Sequence, residues 1–304
     1  MNNRVNPSPS IPIILDTDIG SDIDDAVALA YLLKEPRCEL LGITCVTGDV
    51  AKRCACADFV CRAAGRTDIP IHAGASSVLL AGPGQPLVPQ YRAIEHLPHR
   101  KNWPANTALD FLRQTIRSRP GEITLLTIAP FTNIALLFAA DPEIPSLLKA
   151  IVSMAGIFYP KSRRMHARPR EWNCMCDPTA TAITYNTKVP GHTSFGLDVT
   201  MKCQLPAAEA REKFNLPLLR DLVPMAEVWF TQHELLTCHD PLAAVAIFHP
   251  EICQYDEGLI EIPISKTEHL QGRTLFTPAG TGPHRVAKSV NPARFFQQFF
   301  SVFG

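Results

Sequence analysis

The sequence has no excess charge of either sign. Its 29 Lys and Arg balance 29 Asp and Glu, so it lacks the electrostatic footprint of a general nucleic-acid binder, and no nucleic-acid partner is expected. It has no run of about 18 apolar residues, so no membrane span is expected either. The opening MNNRVNPSPS has no basic stretch leading into an apolar core, the pattern of a secretory signal. Residues 1–10 read as a disordered lead-in. Ten cysteines are present, but CxxC pairs are missing. Cys54–Ala55–Cys56 and Cys174–Met175–Cys176 have CxC spacing, unlike a zinc ribbon. A disulfide framework belongs to short secreted chains, whereas here Cys45, Cys61 and Cys253 sit inside apolar segments. These absences predict a cytoplasmic protein. Internal repeats and low-complexity blocks are missing too, and no linker divides the 304 residues, so residues 11–304 are expected to form a single domain.

What is present is an alternation of short β-branched runs with longer amphipathic ones. Strands are expected at Ile11–Leu15, Glu39–Val46, Ile123–Ile128 and Ile151–Met154. Helices are expected at Asp24–Leu33, Val50–Ala64, Thr107–Arg117, from Thr132, and at Pro178–Tyr185. This order predicts an α/β fold with an open, mostly parallel sheet and helices on both faces. Gly74–Pro104 and Tyr159–Arg170 read as long loops, which in a compact domain are commonly functional. In such sheets ligands bind beyond the carboxyl ends of the strands, and four segments at such ends carry chemistry.

The first runs Asp16-Thr17-Asp18-Ile19-Gly20-Ser21-Asp22-Ile23-Asp24-Asp25-Ala26. Five carboxylates fall within ten residues, a density that is unfavourable unless a cation neutralises it. Oxygen ligands suit a hard divalent cation, Ca²⁺ or Mg²⁺. One carboxylate, Asp22 or Asp24, would instead serve as a helix N-cap. An EF-hand loop starting at Asp16 fails, because Ser21 and Val27 stand where Gly and Glu are needed. Asp16 and Asp18 also resemble the Asp-x-Asp of haloacid-dehalogenase phosphohydrolases, the competing enzymatic reading. The second segment, Ile128-Ala129-Pro130-Phe131-Thr132-Asn133, offers a strand-end carbonyl and a possible cap at Thr132. In the third, Glu171 and Asn173 stand at i and i+2, which on an extended segment project to one side and suit hydroxyl recognition. The fourth, Cys238-His239-Asp240-Pro241, opens an apolar helix with either a capping or a functional Asp240.

Together these segments resemble the inosine-uridine-preferring nucleoside hydrolase family. Asp16, Asp18, Gly20, Asp24, Asp25 and Ala26 resemble its opening Asp-x-Asp-Pro-Gly-x-Asp-Asp-Ala. Ala129–Asn133, Glu171-Trp172-Asn173 with Asp177-Pro178, and His239-Asp240-Pro241 resemble its later motifs in order. Ile19 replaces the proline, and two extra residues precede the Asp pair, so either Asp22 or Asp24 meets the sugar; Asp24 keeps its place beside the helix. The resemblance implies a calcium-dependent nucleoside N-ribohydrolase with a nucleoside-hydrolase-like, Rossmann-like core, acting as a homodimer or homotetramer. By that resemblance Ca²⁺ would be held by Asp18, Asp25, Asp240 and the main-chain carbonyl of Ile128. Asp24, Glu171 and Asn173 would bind the ribose hydroxyls. Asp18 would take a proton from the attacking water, and Asp16 would buttress the site. His239, with an ordinary pKa of about 6.5, would act as general acid on the leaving base. Trp172, Trp229, His233, Tyr159 and His166 are candidates to meet that base. The non-enzymatic alternative is a calcium-dependent ribose- or nucleoside-binding protein without turnover.

Overall fold

A computed structural model describes residues 10–161, 169–265, 267 and 270–304. Except for Ser10, the expected lead-in lies outside the described residues, as do His166 and most of the loop expected at Tyr159–Arg170.

The interior strand β1 (Ile11–Thr17) is apolar over its first five residues, as a strand covered on both faces must be. Its side chains alternate between two cores. Ile13 and Leu15 join a cluster with Leu29, Tyr31 and Val245, while Ile14 faces Leu112, Ile116 and Ile134. That alternation, repeated by Leu125 and Leu126 on the neighbouring strand, is the period-2 rule producing two buried faces. Helices α1 (Asp24–Lys34), α2 (Val50–Ala63) and His239–Phe248 contribute to the first cluster, and Ala108–Ser118 and Thr132–Ala140 to the second. Helices on both faces and a mostly parallel sheet are as expected.

Among the described residues the main sheet has nine strands. On one side β1 pairs in parallel with Cys38–Cys45 and then Ile71–Ala73. On the other it pairs in parallel with Thr124–Thr127, followed by Ala150–Met154 and His192–Phe195. A C-terminal antiparallel ribbon of Cys253–Glu261, Leu275–Pro278 and His284–Val290 completes that edge. Strand order therefore reverses between β1 and Thr124–Thr127. At such a switch point the connections diverge to opposite faces and leave a crevice.

The expected strands and helices stand within a few residues of their predicted bounds. The segment Gly74–Pro104 carries only one short helix, Tyr91–Ile94. Three expected caps differ. Thr132 is the first helical residue, and its hydroxyl donates to Asp177 Oδ2 at 2.8 Å. Asp240 lies inside its helix, behind Cys238 as the cap. In α1 the cap position falls to Ile23, while Asp22 Oδ1 accepts from the Ile23 amide at 2.6 Å. In the last two cases the acidic side chain is left for the cleft.

Outside the cleft, His192 is buried within the sheet. It stacks on Tyr185 with ring centroids 4.6 Å apart and lies 3.3 Å from Ser153 Oγ. Burial holds its pKa down at about 3, helped by the neighbouring His284. The folded protein thus refuses a proton that the unfolded chain accepts below about pH 6.5, so this contribution is complete above that pH and is lost as pH falls. His192→Phe keeps the stacked ring and removes the titration. Urea unfolding of the two proteins should show the wild type losing on the order of 2 kcal/mol relative to the variant between pH 7 and pH 5; parallel pH profiles would contradict this.

Candidate active site

The crevice at the switch point is a cleft of about 550 Å³. Its floor is built from the carboxyl end of β1 and the start of α1. Asp16 is the last buried carboxylate of the strand. Its Oδ1 accepts from Thr44 Oγ1 at 2.6 Å and from Asn133 Nδ2 at 2.7 Å. Burial raises its pKa to about 7 against those hydrogen bonds. It does not line the cleft but supports the strand end from behind.

Past Asp16 the chain turns through Gly20, which has φ of 111° and whose added Cβ would lie 2.4 Å from Val88 Cγ1. Only glycine satisfies both demands. The turn delivers Asp18, Asp22, Asp24 and Asp25 to the cleft wall. Asp240 arrives from the other end of the chain because its helix packs against α1. The Asp240 amide donates to Asp24 Oδ2 at 3.1 Å. One oxygen each of Asp24, Asp25 and Asp240 lies within 4.8 Å of the others, and all three residues are buried. Thr17 Oγ1 donates to Asp25 Oδ1 at 2.5 Å and orients it.

The electrostatics follow from burial. Desolvation, then mutual repulsion, pushes the pKa values of Asp24, Asp25 and Asp240 well above the ordinary carboxylate range. Asp22 is raised to about 7 for the same reasons, Asp25 being its main neighbour. Burial also raises Asp18, with Arg53 opposing the rise. Such a group retains charge only if a cation shares it. The donors are all oxygens, so Asp24, Asp25 and Asp240 could hold a hard metal ion. Asp25 and Asp240 were expected at that point. Asp24, expected at the sugar, stands with them, and Asp18 lines the cleft outside that trio.

The opposite wall comes from the short helix Trp172–Cys176. Glu171 and Asn173 are not on an extended segment: Glu171 caps this helix. Its Oε1 accepts from the Asn173 amide at 2.7 Å, and its Oε2 from the Cys174 and Gly156 amides at 2.9 and 3.1 Å. Asn173 Nδ2 donates to the main-chain oxygens of Met154 at 3.0 Å and Ile128 at 3.3 Å. The Ile128 carbonyl, expected on the metal, is therefore at the cleft and touches Asn173.

His239 lines the cleft, with Nδ1 2.8 Å from Thr200 Oγ1. Burial lowers its pKa to about 4, so the imidazole is neutral at neutral pH. Trp172, Trp229 and His233 line the same cleft, with Trp229 and His233 stacked 3.5 Å apart. Tyr159 is elsewhere; its hydroxyl donates to Asp256. Gln85, Leu87, Pro89 and Arg92 close the mouth from the long loop. Sequence reasoning named that loop but none of those residues.

This geometry has close relatives. Residues 13–297 match the model of the family described as inosine-uridine preferring nucleoside hydrolase. The chain belongs to that family and is an enzyme of the nucleoside hydrolase class. It is 28% identical over 271 residues to uridine nucleosidase 1 of Arabidopsis thaliana, covering 82% of this chain and 77% of that protein. It is 26% identical over 289 residues to the pyrimidine-specific ribonucleoside hydrolase RihA of Salmonella paratyphi C, covering 88% of each. In fold it is similar to the plant nucleoside hydrolase PpNRh1, with a TM-score of 0.82, 23% identity, and 97% and 99% of the two chains covered. Among the described residues no helix is long and apolar enough to cross a membrane.

The carboxylate cluster makes stability depend on pH in a way that reveals the cation. Groups whose folded pKa is raised stabilise the fold at low pH and lose that contribution as pH rises through the folded value. With Asp22 raised from the ordinary carboxylate range to about 7, chelator-treated protein should lose melting temperature as pH rises from about 4 to about 7. Excess divalent cation should remove that loss. A chelator-treated profile that is flat or rising across this window would contradict the reading.

Proposed function

We propose that the protein hydrolyses the N-glycosidic bond of ribonucleosides in a calcium-dependent reaction, giving ribose and free base. The observation that carries this is the convergence of Asp24, Asp25 and Asp240 beside Asp18, opposite Glu171 and Asn173, in one cleft. Names of similar proteins, a uridine nucleosidase and a pyrimidine-specific ribonucleoside hydrolase, favour uridine as the first substrate to try.

Calcium would be held by Asp18, Asp25, Asp240 and the Ile128 carbonyl. When bound, it would neutralise the carboxylates and lower the pKa of a coordinated water. Asp18 accepts the proton of the attacking water as general base. Three amides occupy three of roughly four acceptor sites on the Glu171 carboxylate, leaving one for a sugar hydroxyl. Asn173 uses its amide protons on Ile128 and Met154, leaving Oδ1 for the sugar. Asp24 takes the remaining ribose hydroxyls. Positive charge that develops on the ring as the base departs is stabilised by these carboxylates. Asp16, fixed by Thr44 and Asn133, keeps the strand end in place.

His239 acts on the base in its neutral form. When the Thr200 hydroxyl donates to Nδ1, the imidazole proton sits on Nε2, a hydrogen-bond donor for the departing base. Trp172, Trp229 and His233 offer apolar faces to it. Residues 11–304 act as one domain, since a single sheet draws strands from Ile11 to Val290. The family resemblance supports a homodimer or homotetramer. Ten unpaired cysteines, nine of them buried, support a reducing compartment, the cytoplasm.

Reducing-sugar release from uridine in the presence of calcium tests the activity. A site that pairs buried groups with hydroxyls discriminates strongly against their loss, so 2′-deoxyuridine should react on the order of 10⁴-fold more slowly. Asp24→Ala or Asn173→Ala should narrow that margin, and equal rates on both nucleosides would refute the ribose assignments.

The leaving-group role of His239 has its own test. His239→Ala should lose roughly 10²-fold or more on uridine while keeping most of its rate on p-nitrophenyl riboside, whose phenolate departs without help. Equal losses on both substrates would show that His239 only shapes the cleft.

A further inference from the structure

Arg53 is fully buried, and it is the largest side chain so enclosed. It sits in the first turn of α2, within the segment Lys52–Cys56 that otherwise presents small thiols and alanines to the core. A guanidinium in so dry a place is tolerable only when its donors are matched.

The matching is specific. Nε donates to the Thr47 carbonyl at 2.7 Å. Nη1 reaches the Asp18 carbonyl, the Ile19 carbonyl at 3.2 Å and Ser21 Oγ at 3.1 Å. Nη2 donates to the Gln85 carbonyl at 2.6 Å and reaches Leu87 O at 3.4 Å. One planar fork thus joins three separate loops: the turn after β1, the turn after Cys38–Cys45, and the edge of the cleft mouth. Thr47, a β-branched residue at φ of 68°, occupies the left-handed region that such residues avoid. The Arg53 bond to its carbonyl helps keep it there. Ser21 Oγ also donates to Leu87 O at 3.2 Å, so the first and third loops are tied twice.

The turn after β1 pivots on Gly20; beyond Arg53, Gln90 holds it by donating its amide to Gly20 O at 3.0 Å and Nε2 to Ser21 O at 3.2 Å. Its course is set by what its carbonyls bind. The carbonyl of Asp18 and the carboxylate of Asp18 share one residue, so holding the first limits the aim of the second.

We propose that Arg53 is a positioning residue for the hydrolytic site: its guanidinium fixes the Asp18–Ser21 turn, and with it the Asp18 carboxylate, and locks that turn to the Gln85–Leu87 edge of the substrate cleft. The proposal rests on the hydrolytic reading of the cleft given above. It does not make Arg53 touch substrate or metal. Groups that orient metal-binding side chains from behind typically change affinity or activity by 10–100-fold when removed.

Two variants separate geometry from charge. Arg53→Met removes both, whereas Arg53→Lys keeps the charge but cannot reach three loops from one nitrogen. Metal-stripped full-length protein is titrated with calcium alone by calorimetry, and kcat and KM for uridine are measured on the folded, calcium-loaded forms. Both variants should bind calcium at least 10-fold more weakly, with kcat reduced and KM raised. Unchanged calcium affinity and kinetics alongside a lowered melting temperature would reduce Arg53 to a stabilising residue and overturn the proposal. Full restoration by lysine would also overturn it, since charge alone would then suffice. Should neither variant fold, Ser21→Ala removes the hydroxyl shared by Nη1 and Leu87 O. It should raise KM several-fold at an unchanged melting temperature, and an unchanged KM would overturn the proposal. The wild type guards the underlying reading: if it neither binds calcium nor releases ribose, that reading fails irrespective of what the variants do.

Discussion

The structure turns on one electrostatic constraint. Carboxylates deprived of water repel one another, and around Asp24, Asp25 and Asp240 burial and that repulsion outweigh the opposing charge of Arg53 on Asp25. A protein keeps such an arrangement only when a ligand completes it. The surrounding architecture follows from tolerating that strain without collapse. Thr17, the Asp240 amide and the amides around Glu171 each donate to a carboxylate oxygen, so individual groups are satisfied while the net charge remains. Arg53, by contrast, spends most of its donors on carbonyls, stiffening the backbone that carries the charges.

The sheet explains why these groups meet. β1 lies inside the sheet, and its two neighbours lead the chain toward opposite edges. Residues leaving the carboxyl ends of β1 and of Thr124–Thr127 therefore flank the same gap, and the helix bearing Asp240 is drawn to it by apolar packing on α1. Hydrophobic burial does the placing, and polar residues use the position it provides.

The central part of this design is legible in the sequence because both periodicities are strong there. Ile11–Leu15 followed by a dense acidic run is hard to read otherwise, and the helices after it have clear starts. Legibility fails where a local rule has two satisfiers. Thr132, Asp240 and Asp22 are all good capping residues by type, but tertiary contacts assign their side chains elsewhere. Glu171, read as an extended-chain residue, turned out to be the cap, because the helix it opens has only five residues and no visible period. The C-terminal ribbon escaped notice, since its strands are half-exposed and bounded by weak signals. Arg53 left no local mark: an arginine in the first turn of a helix ordinarily reaches water. The one available hint was its place four residues after Asp49, followed directly by the small buried residues Cys54 to Ala57.

The Asp240 amide and Asp24 are 216 residues apart in the chain. While the protein is being made, the acidic turn leaves the ribosome early and waits for a partner made 216 residues later. Throughout that interval its carboxylates are open to water and remain separate charges. The carboxylate cluster therefore forms only after Asp240 has been made, and a chain stalled before it carries the acidic sequence without the pocket.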